Sequence, residues 1–210
     1  MSTIRRLTLL AAAVATPLLP LRAQGVLSGV INADNAFTAF VGTASAVPGP
    51  QVASGTEWWR TVAFGGVALQ AGQDYVVRVR VQDVGTISGF LATLTLAGDT
   101  HRFTTGGTTL LTTAGGGWTA TTSDWRTGPQ GLVAYGAKGT AIWGNQPASH
   151  TPVEWAQQSA AAQWIWTADD CIHCTRYFSA TIVAVPEPAT LAMLGAGLAV
   201  LAFATRRRRA

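Results

Sequence analysis

Charge is scarce in this chain. Only 11% of its 210 residues are Asp, Glu, Lys or Arg, against ~25% in a typical soluble domain. That scarcity excludes a highly charged disordered chain and a coiled coil, which need many Glu and Lys. Two cysteines are too few for a disulfide-dense scaffold or a four-thiolate zinc site. No G-x-S-x-G, H-E-x-x-H or P-loop pattern occurs. The acids form no close pair of the kind that glycosidases use. These absences predict a domain without catalysis. An unrecognised hydrolase stays open only through His150 or His173 meeting acids in a cleft.

The net charge of +4 belongs to the ends. Arg5, Arg6 and Arg22 lie in the first 23 residues, and Arg206, Arg207, Arg208 and Arg209 form a terminal run. Residues 24–185 hold seven basic residues against nine acids, a balance of −2. Nucleic-acid binding needs a basic footprint interleaved with aromatics, and this middle has none. No nucleic-acid partner is expected.

Both ends read as targeting segments. Residues 1–23 place Arg5-Arg6 before an apolar run, Leu7 to Leu21, broken by Pro17 and Pro20. That is the layout of a secretory signal peptide. Cleavage after Ala23 would leave Gln24 first, with cleavage after Ala15 or an uncleaved anchor as alternatives. At the other end, no charge occurs between Glu187 and Arg206, a gap of 18 residues. As a helix they would span ~27 Å, enough to cross a bilayer core. The four arginines should stay cytoplasmic.

Val185-Pro186-Glu187-Pro188, the apolar span and the arginine tail together resemble the PEP-CTERM sorting domain. The resemblance implies a Gram-negative protein, exported across the inner membrane and held there by its C-terminal helix. It implies exosortase as the processing partner. The product would pass to the cell surface or an exopolysaccharide matrix. Such a tail is an address and assigns no activity to the domain it carries.

Between the ends, residues 24–184 read as all-β. Short alternating runs are separated by Gly, Asp and Asn. Gln73 to Gln82 places Tyr75, Val77, Val79 and Val81 on one face, with Val76, Arg78, Arg80 and Gln82 on the other, a cationic outer face. Ser88 to Ala97 places Phe90, Ala92, Leu94 and Leu96 together. Further strands are predicted at Phe37 to Val41, Trp58 to Phe64, Thr140 to Trp143, Gln163 to Thr167 and Tyr177 to Val183. Val153 to Ala162 could form a short helical turn. Residues 100–122 contain ten Thr and five Gly and read as an edge hairpin or a long exposed loop. Strands at this spacing predict a jelly roll or β-sandwich.

The order of features also resembles galactose-binding-like jelly-roll domains. It is carried by Ala33-Asp34-Asn35-Ala36-Phe37, Trp58-Trp59-Arg60, Leu69 to Tyr75, Gly89 to Ala92, and Trp164-Ile165-Trp166 with Tyr177-Phe178. Gly42-Thr43 stands where that pattern has an Asn-Gly hairpin. The resemblance implies a non-catalytic module, often one that binds carbohydrate; here the partner would be extracellular polysaccharide.

Eight tryptophans in one small domain invite the same reading, because sugar rings stack on indole faces. Trp58 and Trp59, adjacent in a predicted strand, must point to opposite faces, so one is exposed. Trp118, Trp125 and Trp143 lie near glycine-rich loops. With Asn35 these five form the candidate ligand-binding set, though each equally suits packing. Trp164 and Trp166 share a strand face and read as core. Asn32, Asp34, Asp169 and Asp170 could offer oxygens to calcium, or serve as Asx turns and caps. Cys171-Ile172-His173-Cys174 reads as a disulfide in an exported protein, with metal and redox roles as alternatives.

Overall fold

The structure is a computed structural model and describes residues 24–85, 87–137, 157–169, 171, 173–186, 194–199 and 201. The signal-peptide segment, the predicted strand at Thr140 to Trp143, His150 and most of the sorting tail lie outside these residues.

The described strands are β1 (Gln24–Asp34), β2 (Ala36–Gly42), β3 (Gln51–Gly55), β4 (Val62–Gln70), β5 (Tyr75–Gln82), β6 (Gly89–Ala97), β7 (His101–Phe103), β8 (Thr109–Leu111), β9 (Trp118–Thr121), β10 (Pro129–Gln130), β11 (Leu132–Ala137), β12 (Gln163–Thr167) and β13 (Thr175–Ala184). They form two antiparallel sheets. The first has the order β11-β12-β6-β1-β4, with β8 added to β6. The second runs β10-β9-β13-β5-β2-β3, with β7 added to β13.

Alternation decides what each strand buries. In β5, Val77, Val79 and Val81 are fully buried, and in β6 so are Phe90, Ala92 and Leu94. These faces meet Phe37, Ala39 and Val41 of β2, Leu27 and Ile31 of β1, and Phe178, Ala180 and Ile182 of β13 in one core. Aromatic rings tie the sheets together. Phe90 lies 5.0 Å from Trp118 edge-on and 4.7 Å from Phe178. Trp166 lies 5.6 Å from Phe178.

The Thr-rich segment corrects its expectation. It is neither an exposed loop nor one hairpin. It supplies β7 and β9 to the second sheet and β8 to the first. Trp118 and Ala120 of β9 enter the core, so the segment borrows apolar area from β13 beside it.

A second, smaller cluster lies outside the first sheet. Leu91 has the opposite parity to Phe90 and Ala92 and therefore points outward. It packs there with Ala162 and Trp164, against the half-buried Trp58 and Tyr135. Trp164 and Trp166 are both fully buried, in different clusters.

Cys171 and Cys174 are joined as a disulfide, their Cα atoms 6.1 Å apart. The Cys171 carbonyl accepts hydrogen bonds from Ser88 Oγ at 3.2 Å and Trp166 Nε1 at 3.1 Å. The Cys174 carbonyl accepts Asp83 N at 2.9 Å. So small a loop limits the entropic gain of the crosslink. Reduction with dithiothreitol is expected to cost no more than about 2 kcal/mol. Denaturant melts with and without reductant measure this.

Residues 194–199 are helical, and Leu194 and Leu198 are 60% and 59% exposed. No described helix is long and apolar enough to cross a membrane. Apart from Leu201, the rest of the predicted span lies outside the described residues.

Candidate functional site

The outer face of the second sheet brings aromatic, cationic and hydroxyl side chains together. Register explains how. Thr38 of β2 pairs with Arg80 of β5, Arg80 with Tyr177 of β13, and Tyr177 with Thr121 of β9. One row along, Phe40 pairs with Arg78 and Arg78 with Ser179. Phe40 and Tyr177 therefore stand diagonally across β5.

Trp125 bridges them. Its ring lies 5.8 Å from Phe40 and 4.9 Å from Tyr177, edge-to-face with each. All three rings are half-buried. The β9–β10 loop that carries Trp125 is shaped by Asp124. Asp124 Oδ1 accepts Arg126 N at 2.7 Å, Thr127 N at 2.8 Å and Thr127 Oγ1 at 3.0 Å. Thr121 Oγ1 donates to the Asp124 carbonyl. This is an Asx turn. The backbone N–H groups of Arg126 and then Thr127 hold the Asp124 carboxyl below its ordinary value.

Arg78 corrects the picture of an exposed cationic strand face. It is 4% exposed. Its Nη1 donates to the carbonyls of Thr43, Ala46 and Pro48 at 3.2, 2.9 and 3.3 Å, and Nη2 to Ala44 at 3.3 Å. One guanidinium thus organises the β2–β3 loop. Burial, and then the charge of Arg126, lower its pKa. Arg80 remains exposed. It lines a hollow of about 160 Å³ with Thr38, Ser54 and Gln82. Enclosing ligand pockets begin near ~300 Å³. This one is an open dent beside the aromatic cluster, suited to part of an extended ligand.

The other candidates lie elsewhere. Trp58 and Trp59 do not start a strand. They sit in a turn closed by Arg60 N to the Glu57 carbonyl at 3.1 Å and by the Glu57–Arg60 ion pair at 3.2 Å. Their rings meet edge-to-face at 5.6 Å. Trp58 also covers the outer cluster of the first sheet, on the opposite side of the sandwich from Trp125. Trp118 is 6% exposed and faces the core, so its ring is unavailable as a platform. Trp143 lies outside the described residues. The Asn35 side chain is used locally: its Oδ1 accepts Val84 N at 2.6 Å.

Of the calcium candidates, Asn32, Asp34 and Asp169 are described, and two of them are already engaged. Asn32 Oδ1 already accepts Thr61 Oγ1 at 2.9 Å and Gln158 Nε2 at 3.0 Å. Asp169 is paired with Arg176. Burial alone would raise its pKa, but hydrogen bonds from Thr167 and Arg176 and the Arg176 charge hold it down. Asp34 lies by Asp83, is 5% exposed, and its Oδ1 has no hydrogen-bond partner. Asp170 lies outside the described residues. Among the described residues, no group of three or more His, Cys, Asp or Glu is placed to hold a metal ion.

Sequence reasoning named Trp125 but not its neighbours. Phe40 and Tyr177 belong to strands 137 positions apart, and only the order β13-β5-β2 brings them together. The outward parity of Phe40, Arg80 and Tyr177 was the usable signal.

The chain leaves the sandwich at the end of β13, where Val185 N donates to the Thr100 carbonyl at 2.8 Å. Val185 and Pro186 are described; Glu187, Pro188 and the arginines Arg206 to Arg209 are not. Residues 184–209 match the PEP-CTERM protein-sorting motif. The motif marks an exported, membrane-anchored precursor that exosortase processes. It lies almost wholly beyond the last strand and assigns nothing to the sandwich. The chain matches no curated protein and no solved structure. The galactose-binding-like resemblance therefore rests on the residues that suggested it.

Proposed function

We propose that this PEP-CTERM protein is a non-catalytic carbohydrate-binding component of the cell surface or extracellular matrix. Its ligand would be exopolysaccharide, bound across the outer face of the second sheet. The observation that carries this reading is Trp125, held by an Asx turn over Phe40 and Tyr177 beside a hydroxyl-lined hollow. Aromatic rings give a sugar an apolar face to stack on. Thr38, Ser54 and Gln82 give its hydroxyls partners. The openness of the face suits a polymer, which an enclosed pocket would exclude.

The test is calorimetric titration of the full chain in detergent with soluble exopolysaccharide from the producing cells. Saturable heat is expected, and Trp125→Ala should weaken binding at least about tenfold, a loss near ~1.4 kcal/mol. A second reading, a structural matrix component with no ligand, draws on the edge-to-face packing of the same rings. A folded chain that gives no heat would favour it.

A further inference from the structure

The same face is charged against the trend of the domain. Residues 24–185 carry net −2, yet Arg78, Arg80 and Arg126 gather around the aromatic cluster. Arg78 and Arg80 stand in adjacent outward positions of β5. Arg126 follows Trp125 directly and is near enough to Arg78 to act on its charge. Asp124 is the one acid in this loop; its Oδ1 accepts Arg126 N, Thr127 N and Thr127 Oγ1, and the Arg126 charge also acts on its carboxylate, so one acid stands against three arginines. Among the described residues, none of the three arginines has a carboxylate partner within ion-pair distance. Arg176 shows the contrast: it is about as buried as Arg78, and it has Asp169.

Three guanidinium groups against the single carboxylate of Asp124 leave this face with an excess of positive charge, a site for negative charge. Arg78 is spent on loop carbonyls and contributes only its field. Arg80 and Arg126 are exposed and can present their forked N–H groups to a planar acceptor. Resting on the carbohydrate reading above, we infer that the ligand is an acidic polysaccharide, with sugar carboxylates held by Arg80 and Arg126 while a ring stacks on Trp125. Stacking on Trp125 orients the chain of sugars. The arginines select those that carry a carboxylate.

The experiment compares polygalacturonate with neutral dextran, titrated calorimetrically into the full chain in detergent. Arg206 to Arg209 are replaced by Gln throughout, so that the basic tail cannot collect the polyanion. Polygalacturonate should bind at least about tenfold more tightly than dextran, and rising salt should weaken it. Arg80→Gln and Arg126→Gln should each weaken polygalacturonate binding about tenfold and leave the melting temperature unchanged, because both side chains are exposed. Equal binding of dextran and polygalacturonate, lost on Trp125→Ala, would overturn the acidic selectivity while sparing carbohydrate binding. Polygalacturonate binding indifferent to Arg80→Gln, Arg126→Gln and Trp125→Ala would overturn both. So would binding of neither polymer.

Discussion

Gln158→Ala is expected to destabilise the sandwich by about 3 kcal/mol, a drop of roughly 6–12 °C in melting temperature for a domain of this size. Gln158 is 2% exposed and sits on the outside of the first sheet. Its Nε2 donates to the carbonyls of Val30 and Leu91 at 3.2 and 3.3 Å and to Asn32 Oδ1 at 3.0 Å. Its Oε1 accepts Thr93 Oγ1 at 2.9 Å. Thr93 Oγ1 in turn accepts Ser159 N at 3.0 Å. One amide thus fastens residues 157–159 to β1 and β6, and its partner Asn32 fastens Thr61. Removing it takes a hydrogen-bond partner from polar atoms on two strands, β1 and β6, in a site where water cannot readily replace it. Gln158→Glu keeps the shape, removes the amide donor and places a charge in the same buried position, so it should be at least as damaging at pH 7. Loss of under 0.5 kcal/mol on Gln158→Ala, by denaturant melts, would show the network to be incidental.

Asp34→Asn should act in the opposite direction and only at higher pH. Burial first, and the neighbouring charge of Asp83 second, raise the Asp34 pKa from 3.8 to about 7. The folded chain therefore binds this proton more tightly than the unfolded one. The protonated residue costs nothing below about pH 4. Between pH 4 and 7 the fold progressively loses stability, and above 7 the loss is complete. A rise of that size sets a ceiling of ~4 kcal/mol, and residual screening by water reduces it to on the order of 2 kcal/mol. Asp34→Asn removes the charge and keeps the volume. The variant should match the parent at pH 4 and exceed it at pH 8 by several degrees in melting temperature. Destabilisation at pH 8, reproduced in the parent by a calcium chelator, would instead make Asp34 a metal ligand.

Much of the fold was legible because alternation is a local property. β5 and β6 announce themselves by valines and leucines two apart, and β12 falls on the predicted Gln163 to Thr167. β1, the longest described strand, was not predicted, because Gly25 and Gly29 interrupt its pattern. Gly29 is there for packing. A Cβ on it would stand 2.5 Å from Leu94 Cδ2 and 2.9 Å from Phe64 Cε1. The contribution of residues 100–122 was hidden for another reason. Threonines carry little apolar signal, so β9 shows itself only through the strand it pairs with. Trp58 and Trp59 misled because an aromatic pair looks like a strand start, while the Glu57 to Arg60 turn depends on a hydrogen bond and an ion pair. The candidate site was the least legible part. Its residues come from β2, β5, β13 and a loop, and nothing in their spacing reports that these strands are neighbours.

The most direct measurement is a paired titration of the full chain against exopolysaccharide, with Trp125→Ala on one side of the sandwich and Trp59→Ala on the other. Binding through the second sheet's outer face requires that Trp125→Ala weaken the association at least about tenfold while Trp59→Ala leaves it unchanged. Loss on Trp59→Ala with Trp125→Ala unaffected would place the ligand on the opposite side of the molecule and contradict the assignment.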